Sequence, residues 1–369
     1  MKRFMTLLLA LLLALLLAAA ALVAWLNVRG EAPVSDAAPA APTDAATIER
    51  GRQLATIGNC QACHTARGGE PYAGGRGIAT PFGTIVAGNL TPDPETGLGR
   101  WSPEAFRRAL HEGRSRDGHL LYPAFPYTHT TQMPDADVAD LHAYLRSLPA
   151  VQQANRPHSL RFPYTTQAAL AAWRLMHFEP GRFQPDTVQS AEWNRGAYLV
   201  NGPAHCAACH STRDAFGGAS TTFGADDLPG GHWFAPALSD PQQAGVQGWT
   251  TERIVALLQL GSVEGATVMG PMAEVVFHGT QHLRTEDLRA MAVYLQAVPP
   301  QAAPAVEFEA ADASQKALGE QLYQRHCVDC HGAQGQGATG AYPPLAGNRA
   351  VTMASPVNPV QAILSGGFA

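Results

Sequence analysis

The chain contains three copies of one pentapeptide: Cys60-Gln-Ala-Cys63-His64, Cys206-Ala-Ala-Cys209-His210 and Cys327-Val-Asp-Cys330-His331. These copies use all 6 cysteines, so none is left for a disulfide or a nucleophilic thiol. Two thiols at this spacing can add to both vinyl groups of one haem, and the adjacent histidine can then bind the iron. A zinc site would need cysteine pairs that converge, and a thioredoxin-like redox pair does not need the histidine. The motifs therefore predict three covalently bound haem c groups, with the three histidines as proximal ligands.

The sequence around each pentapeptide also repeats. Each copy is preceded by a helix-forming stretch with a Gly-x-x-Leu pattern: Gly51 to Leu54, Gly196 to Leu199 and Gly319 to Leu322. The first two copies end in similar amphipathic stretches, Asp135 to Leu145 and Thr285 to Leu295, which are acidic in their first turns. We therefore predict an all-α fold: three tandem cytochrome c-like helical domains after an N-terminal signal anchor, with the third domain incomplete.

A middle helix is predicted in each of the first two copies. The stretches that mark its N-terminus are Trp101-Ser-Pro-Glu104 and Trp249-Thr-Thr-Glu252, in which Ser102 and Thr250 can act as N-caps. The expected organisation is signal anchor or signal peptide 1–30, linker 31–46, domain 47–150, inter-domain segment 151–189, domain 190–298, linker 299–310 and incomplete domain 311–369. The three domains are called repeats one, two and three below.

Composition and the N-terminus narrow the class of protein. The chain of 369 residues is long enough for several domains of about 150 residues each, and its net charge of -5 disfavours nucleic-acid binding. After Lys2 and Arg3, the run from Phe4 to Leu26 carries no charge and is long enough to cross a bilayer. The positive-inside rule then places the following residues outside the cytoplasm, whether the segment is kept as an anchor or removed as a signal peptide. We expect the inner (cytoplasmic) membrane and its periplasmic face.

Small c-type domains usually take their sixth iron ligand, most often methionine, from a loop before the last helix. In repeat two this loop contains Met269-Gly-Pro-Met272, and Met272 is the preferred ligand because Pro271 rigidifies its approach. Met269 and a role for Met272 in core packing are the alternatives.

Repeat one breaks this pattern. Aligning the final helices through Tyr144 and Tyr294 places Phe125 nearest to Met272, and phenylalanine cannot bind iron. His129 and Met133 are the candidate ligands, although Met133 also suits an apolar staple before the last helix. An open iron or another ligand is the remaining alternative.

Repeat three has neither a last helix nor a methionine loop in the sequence after His331. Met353 is the only methionine there, and it is expected to serve in packing because it precedes a short helix from Asn358 to Leu364. We expect either that the sequence continues or that another chain supports the third haem.

The sequence after Thr47 resembles the triheme c-type cytochrome subunits of bacterial membrane-bound dehydrogenases of the alcohol, gluconate, sorbitol, aldehyde and nicotinate types. The stretches that carry the resemblance are Thr80-Pro-Phe-Gly-Thr-Ile85, Asn89-Leu-Thr-Pro92, Tyr122-Pro-Ala-Phe-Pro-Tyr127, Trp193-Asn-Arg-Gly-Ala-Tyr-Leu199, Gly270-Pro-Met-Ala-Glu-Val275 and Tyr342-Pro-Pro-Leu-Ala-Gly-Asn348. The resemblance implies that Met272 is a distal ligand and that members continue past Ala369. Many members have methionine where this chain has Phe125, and the phenylalanine form is similar to cytochromes paired with molybdenum hydroxylases.

The resemblance and the motifs together predict an electron-transfer subunit. A dehydrogenase catalytic subunit of the molybdenum, flavin or pyrroloquinoline quinone type would deliver electrons, and ubiquinone or a terminal oxidase would accept them. No catalytic residue is expected in this chain. The alternative is a haem enzyme in its own right, similar to a peroxidase or a thiosulfate dehydrogenase, which would need an open or unusually ligated haem.

Overall fold

The computed structural model describes residues 2–28, 34, 44–220, 222–230, 232–301, 310–338 and 340–367. It is 46% helical and 8% strand, which confirms a mainly α-helical protein. The helices are α1 (Lys2–Val28), α2 (Ala45–Ile57), α3 (Cys60–Cys63), α4 (Pro103–Glu112), α5 (Tyr127–Thr130), α6 (Asp135–Ser147), α7 (Gln167–His177), α8 (Ala191–Asn201), α9 (Thr251–Leu260), α10 (Pro271–His278), α11 (Thr285–Gln296), α12 (Ala313–His326), α13 (Val328–His331), α14 (Arg349–Thr352) and α15 (Val357–Ser365).

Short strands and single-turn 3-10 helices join the α-helices. All strand pairs are antiparallel: β1 (Gly77–Thr80) pairs with β2 (Gly83–Val86), which also pairs with β3 (Ser159–Leu160). The remaining strands form two small ribbons, β4 (Asp226–Asp227) with β5 (Phe234–Ala235) and β6 (Ser262–Val263) with β7 (Ala266–Thr267). The 3-10 helices are Cys206–Ala208 and Thr280–His282.

The chain forms two compact units. One consists of Met1–Leu54 and Cys63–Phe183, and the other of Ala55–Ala62 and Gln184–Ala369. Repeats two and three therefore lie in the same unit. Most of the predicted linkers 31–46 and 299–310 lies outside the described residues.

In repeats one and two, the first helix crosses the last helix at a glycine. A Cβ atom at Gly51 of α2 would lie 1.9 Å from the carbonyl oxygen of Asp140 in α6. A Cβ atom at Gly196 of α8 would lie 1.9 Å from the carbonyl oxygen of Ala290 in α11. Glycine is required at both crossings because the two backbones are in direct contact, and this contact fixes the separation of the two helices.

The corresponding helix of repeat three is exposed. Among the described residues, no atom outside α12 lies within 4 Å of the position that a Cβ would take at Gly319. Leu322 is 48% exposed, whereas the equivalent residues Leu54 and Leu199 are 6% and 0% exposed. An N-terminal capping box between Asp312 and Gln315 stabilises this helix, and the Tyr323 hydroxyl donates to the Gly332 carbonyl at 2.6 Å.

The predicted caps of the middle helices are confirmed. The Ser102 hydroxyl accepts a hydrogen bond from the backbone N–H of Ala105 at the start of α4. The Thr250 hydroxyl accepts one from Arg253 at the start of α9. Side-chain acceptors at these positions satisfy N–H groups that have no partner within the helix, so the local sequence sets where both helices begin.

Helix α1 is long and apolar enough to cross a membrane, with a mean hydropathy of 3.0 over Lys2–Trp25. Near its C-terminal end, Val23 packs against a small apolar cluster that includes Leu170 and Ala171 of α7. The leucine side chains between Leu7 and Leu22 are exposed, which suits a lipid environment. By length and composition, α1 is a candidate membrane anchor.

We predict that replacing glycine by alanine in the first helix destabilises repeat two but not repeat three. Gly196→Ala should lower the free energy of unfolding by about 1–3 kcal/mol because the new methyl group overlaps the α11 backbone. Gly319→Ala, the matched control, should leave the free energy unchanged or raise it by about 0.5–1 kcal/mol because alanine favours the helix. Urea unfolding followed by circular dichroism measures both, and equal effects would contradict the packing difference.

Candidate haem-binding sites

Each pentapeptide folds as a single tight turn. The backbone N–H of His210 donates to the carbonyl of Cys206 at 2.9 Å, and the N–H of His331 donates to the carbonyl of Cys327 at 2.9 Å. In repeat one the turn is α3, which begins and ends at the two cysteines. None of the six cysteines forms a disulfide, and each residue is at least partly exposed. The turn therefore holds two thiols and one imidazole together, as covalent haem attachment requires.

The imidazole of each pentapeptide is oriented by the same interaction. Nδ1 of His64 lies 2.7 Å from the carbonyl oxygen of Gly88, and Nδ1 of His210 lies 2.7 Å from that of Pro236. Nδ1 of His331 lies 2.9 Å from the carbonyl oxygen of Pro343. A carbonyl can only accept, so the proton is on Nδ1 in all three rings and the lone pair is on Nε2. This orientation is the one that a histidine needs to bind iron through Nε2.

Burial also keeps two of these rings neutral. Desolvation lowers the pKa of His64 below its ordinary value of 6.5, although the hydrogen bond to Gly88 acts in the opposite direction. Desolvation likewise lowers the pKa of His210, against the hydrogen bond to Pro236. Both imidazoles are therefore uncharged at neutral pH, which is the protonation state of a metal ligand.

The Gly88 carbonyl is held in place by the residue that follows it. Asn89 is buried, and its side-chain N–H groups donate to the carbonyl of Val151 at 2.8 Å and to the Thr96 hydroxyl at 3.0 Å. The backbone N–H of Asn89 donates to the Asn155 side chain at 2.8 Å. These bonds tie the carbonyl loop to residues beyond the last helix of repeat one.

A glycine brings the histidine and its carbonyl loop together in repeats one and three. The N–H of Gly74 donates to the His64 carbonyl at 2.7 Å, and the N–H of Gly337 donates to the His331 carbonyl at 2.8 Å. Both glycines have positive φ, +79° and +70°. A Cβ at Gly74 would lie 2.5 Å from the Gly88 carbonyl carbon, and one at Gly337 would lie 2.7 Å from that of Pro343. The backbone approach therefore needs glycine for its conformation and for its size.

Met272 lies in the first turn of α10, next to the Gly270-Pro271 pair that begins the helix. Gly270 has φ 54° and ψ −129°, and a Cβ there would lie 2.4 Å from the Trp233 ring. Met269 and Met272 flank this turn and both side chains are half-buried. The packed ring fixes the backbone from which Met272 projects.

The candidates in repeat one differ in burial. Met133 is 1% exposed, and its carbonyl lies 3.0 Å from Nε2 of His111. Because protein atoms enclose its side chain, its sulfur has no open side toward an iron, which favours the packing role. His129 lies in α5 and is half-buried, as is Phe125 just before α5. His129 is therefore the better candidate ligand.

Met353 follows α14 and precedes α15, the short helix that the sequence predicts. Its backbone N–H donates to the carbonyl of Arg349 at 3.0 Å and its side chain is half-buried. Within the described ranges, no group of three or more His, Cys, Asp or Glu side chains could hold a separate metal ion.

The thiol pairs and the oriented histidines define a c-type cytochrome. The cytochrome c family matches residues 48–149 and 316–362 of the chain, which lie in repeats one and three. The protein therefore carries covalently bound haem c.

Curated relatives narrow the family. The chain is 36% identical to the cytochrome c subunit of alcohol dehydrogenase (quinone) from Gluconobacter oxydans, covering 90% of this chain and 73% of that protein. It is 33% identical to the fructose dehydrogenase cytochrome subunit of Gluconobacter japonicus, covering 94% and 76%. It is 41% identical to one of the subunits of nicotinate dehydrogenase from Pseudomonas putida, covering 87% of this chain but only 28% of that protein. The chain belongs to the c-type cytochrome subunits of membrane-bound dehydrogenases.

Sequence reasoning found the histidines but missed their carbonyl partners. A leucine follows two residues after each partner: Leu90 after Gly88, Leu238 after Pro236 and Leu345 after Pro343. A leucine two residues after each partner is therefore the sequence feature that the three carbonyl partners share. The distance along the chain from histidine to partner varies between 24, 26 and 12 residues, so no fixed spacing reveals it.

A substitution at Gly74 tests how strongly the loop that carries the Gly88 carbonyl depends on close packing. Gly74→Ala should destabilise the first unit by about 1–3 kcal/mol more than Gly75→Ala, because only the first methyl group displaces the Gly88 loop. Gly75 is a matched control, since its φ of +87° carries the same backbone strain and its nearest neighbour would be 3.4 Å away. Gly74→Ala should also raise the midpoint potential of one haem, since a weaker bond to Nδ1 makes His64 a poorer electron donor to iron. Urea unfolding and redox titration measure both effects, and identical results for the two variants would contradict the prediction.

Proposed function

We propose that the chain folds into three tandem cytochrome c domains, 47–150, 190–298 and 311–369, and that each binds one haem c. The observation that carries the proposal is the hydrogen bond from the histidine Nδ1 to a backbone carbonyl, which is present in all three repeats. The thiols attach the group in pairs: Cys60 with Cys63, Cys206 with Cys209 and Cys327 with Cys330.

When bound, each haem supplies a one-electron ferric and ferrous couple. The residues of this chain set its potential and its position. His64, His210 and His331 bind iron from the proximal side, and their hydrogen bonds to carbonyls increase the basicity of Nε2. Met272 is the distal ligand of the second haem, and a methionine sulfur raises the potential. His129 is the distal ligand of the first haem, which is then bis-histidine and lower in potential than the second.

We infer that electrons enter from a dehydrogenase catalytic subunit and leave to ubiquinone or to a terminal oxidase. The relatives named above are cytochrome subunits of alcohol and fructose dehydrogenases and a subunit of nicotinate dehydrogenase, which supports such a partner. The partner would carry flavin, pyrroloquinoline quinone or molybdopterin. The chain itself contributes electron transfer and no substrate chemistry.

Helix α1 supports a location at the inner membrane. Its apolar span of Lys2–Trp25 would anchor the chain, and the charges of Lys2 and Arg3 would keep its N-terminus in the cytoplasm. The haem domains would then lie on the periplasmic face, where c-type haem is attached.

The haem count is the first test. Intact-mass measurement on protein matured by a haem-attachment system should show three covalent haems. Cys206→Ala leaves one thioether for the second haem and should sharply reduce its stable attachment, while Thr212→Ala, at an exposed position just after the same motif, should retain all three. A mass with fewer than three haems would contradict the proposal.

The partner is the second test. Purification of the membrane-bound protein under mild conditions should recover a subunit that contains flavin, pyrroloquinoline quinone or molybdopterin. Adding the substrate of that subunit should reduce the haems of this chain. Turnover of peroxide or thiosulfate by the isolated chain, without any partner, would instead support a haem enzyme.

A further inference from the structure

Repeat three contacts the part of repeat two that carries Met272. We call residues 267–272 the distal loop and residues 348–367 the C-terminal segment. We propose that the C-terminal segment holds the distal loop in the position that lets Met272 bind iron, with Asn358 as the main positioning residue. This inference rests on the proposed role of Met272 as the distal ligand of the second haem.

The first contact is a two-bond pairing between Asn358 of α15 and the backbone of Phe234 in β5. The Phe234 N–H donates to Oδ1 of Asn358 at 2.9 Å, and Nδ2 of Asn358 donates to the Phe234 carbonyl at 2.8 Å. Asn358 is 8% exposed, so water does not compete freely for these bonds. One side-chain amide thus satisfies both backbone groups of a single residue, as a neighbouring strand would.

Phe234 adjoins Trp233, and the Trp233 ring packs on Gly270. The virtual Cβ of Gly270 would meet three ring atoms at 2.4, 2.5 and 2.6 Å, so the ring and the loop backbone are in direct contact. Fixing Phe234 therefore fixes the ring against the residue that begins α10. Met272 lies two residues further along the chain.

Two more contacts reach the distal loop itself. The Gly270 N–H donates to the carbonyl of Gly367 at 2.8 Å. At the start of the loop, Nδ2 of Asn348 donates to the Thr267 hydroxyl at 3.0 Å. The C-terminal segment thus holds the distal loop at two separate points.

Arg349 secures the segment to repeat two beside these contacts. Its backbone N–H donates to the Gly265 carbonyl at 2.9 Å, and its guanidinium donates to the Gly245 carbonyl at 2.7 Å. The guanidinium also lies 4.8 Å from the centroid of the Trp249 ring. Burial lowers the pKa of Arg349, and Arg253, which stacks on the same ring, acts in the same direction.

Binding of iron by a methionine sulfur depends on contacts that hold the methionine in position. Methionine has three rotatable bonds, so its sulfur does not hold a position unless the backbone and the surrounding side chains do. If the contacts of the C-terminal segment are lost, the distal loop should populate conformations in which the sulfur lies away from the iron. Repeat three would then influence the potential of the second haem without providing a ligand.

The experiment compares four variants of the haem-loaded full chain. Met272→Ala defines the sulfur-to-iron charge-transfer band of the second haem by removing it. Asn358→Ala should increase the unligated fraction about tenfold, because two buried hydrogen bonds are lost. Asn358→Asp keeps the acceptor but replaces the donor with a carboxylate oxygen that faces the Phe234 carbonyl, so it should lose at least as much of the band as Asn358→Ala. Val360→Ala, at a 49% exposed position of the same helix, is the control and should leave the band unchanged.

Carbon monoxide binding to the reduced protein and redox titration give independent readouts. Asn358→Ala should raise carbon monoxide binding and lower the midpoint of one haem, with the haem count unchanged. If Asn358→Ala does not accumulate, Thr267→Val removes the acceptor of Asn348 and should cause a smaller loss of the same band.

The outcomes separate the two proposals. If Met272→Ala leaves the band intact, the ligand assignment fails and this inference fails with it. If Met272→Ala removes the band but Asn358→Ala and Thr267→Val behave like Val360→Ala, the electron-transfer proposal stands and the bracing role is overturned.

Discussion

In all three repeats the motif histidine donates a hydrogen bond from Nδ1 to a backbone carbonyl, and the loops around the motif are arranged to make this bond. It fixes the tautomer and the rotation of each imidazole before any iron binds, so the histidine does not have to reorganise to become a ligand. The carbonyl must therefore be delivered to within 2.7–2.9 Å by a loop distant in sequence. Gly74 and Gly337 serve this requirement, because only glycine allows the two backbones to approach so closely.

The helix crossings are a second place where glycine permits close packing. Gly51 and Gly196 let the first and last helices of repeats one and two touch backbone to backbone. In repeat three the equivalent helix α12 is uncovered, and the residues after the motif pack on repeat two instead. Repeat three is thus joined to repeat two by residues 348–367, while the Tyr323 hydroxyl of α12 donates to the Gly332 carbonyl beyond the motif.

This arrangement suits a protein that transfers electrons. An electron-transfer site benefits from ligands that keep one geometry in both oxidation states. The hydrogen bonds of the motif histidines and the packing of the Trp233 ring on Gly270 restrict the movement of these residues. The link between Asn358 and the distal loop extends this restriction across two repeats.

The three Cys-x-x-Cys-His motifs, the mainly helical character, and the starts of α4 and α9 at Ser102 and Thr250 are predictable from the sequence alone. These features are local: a motif turn or an N-cap depends on residues within four positions of one another. The three-dimensional structure was needed to show which carbonyls orient the histidines, that Met133 is enclosed whereas His129 is partly accessible, and that residues 348–367 contact repeat two. Those features depend on burial and on contacts between residues far apart in the chain, which spacing and residue type do not encode.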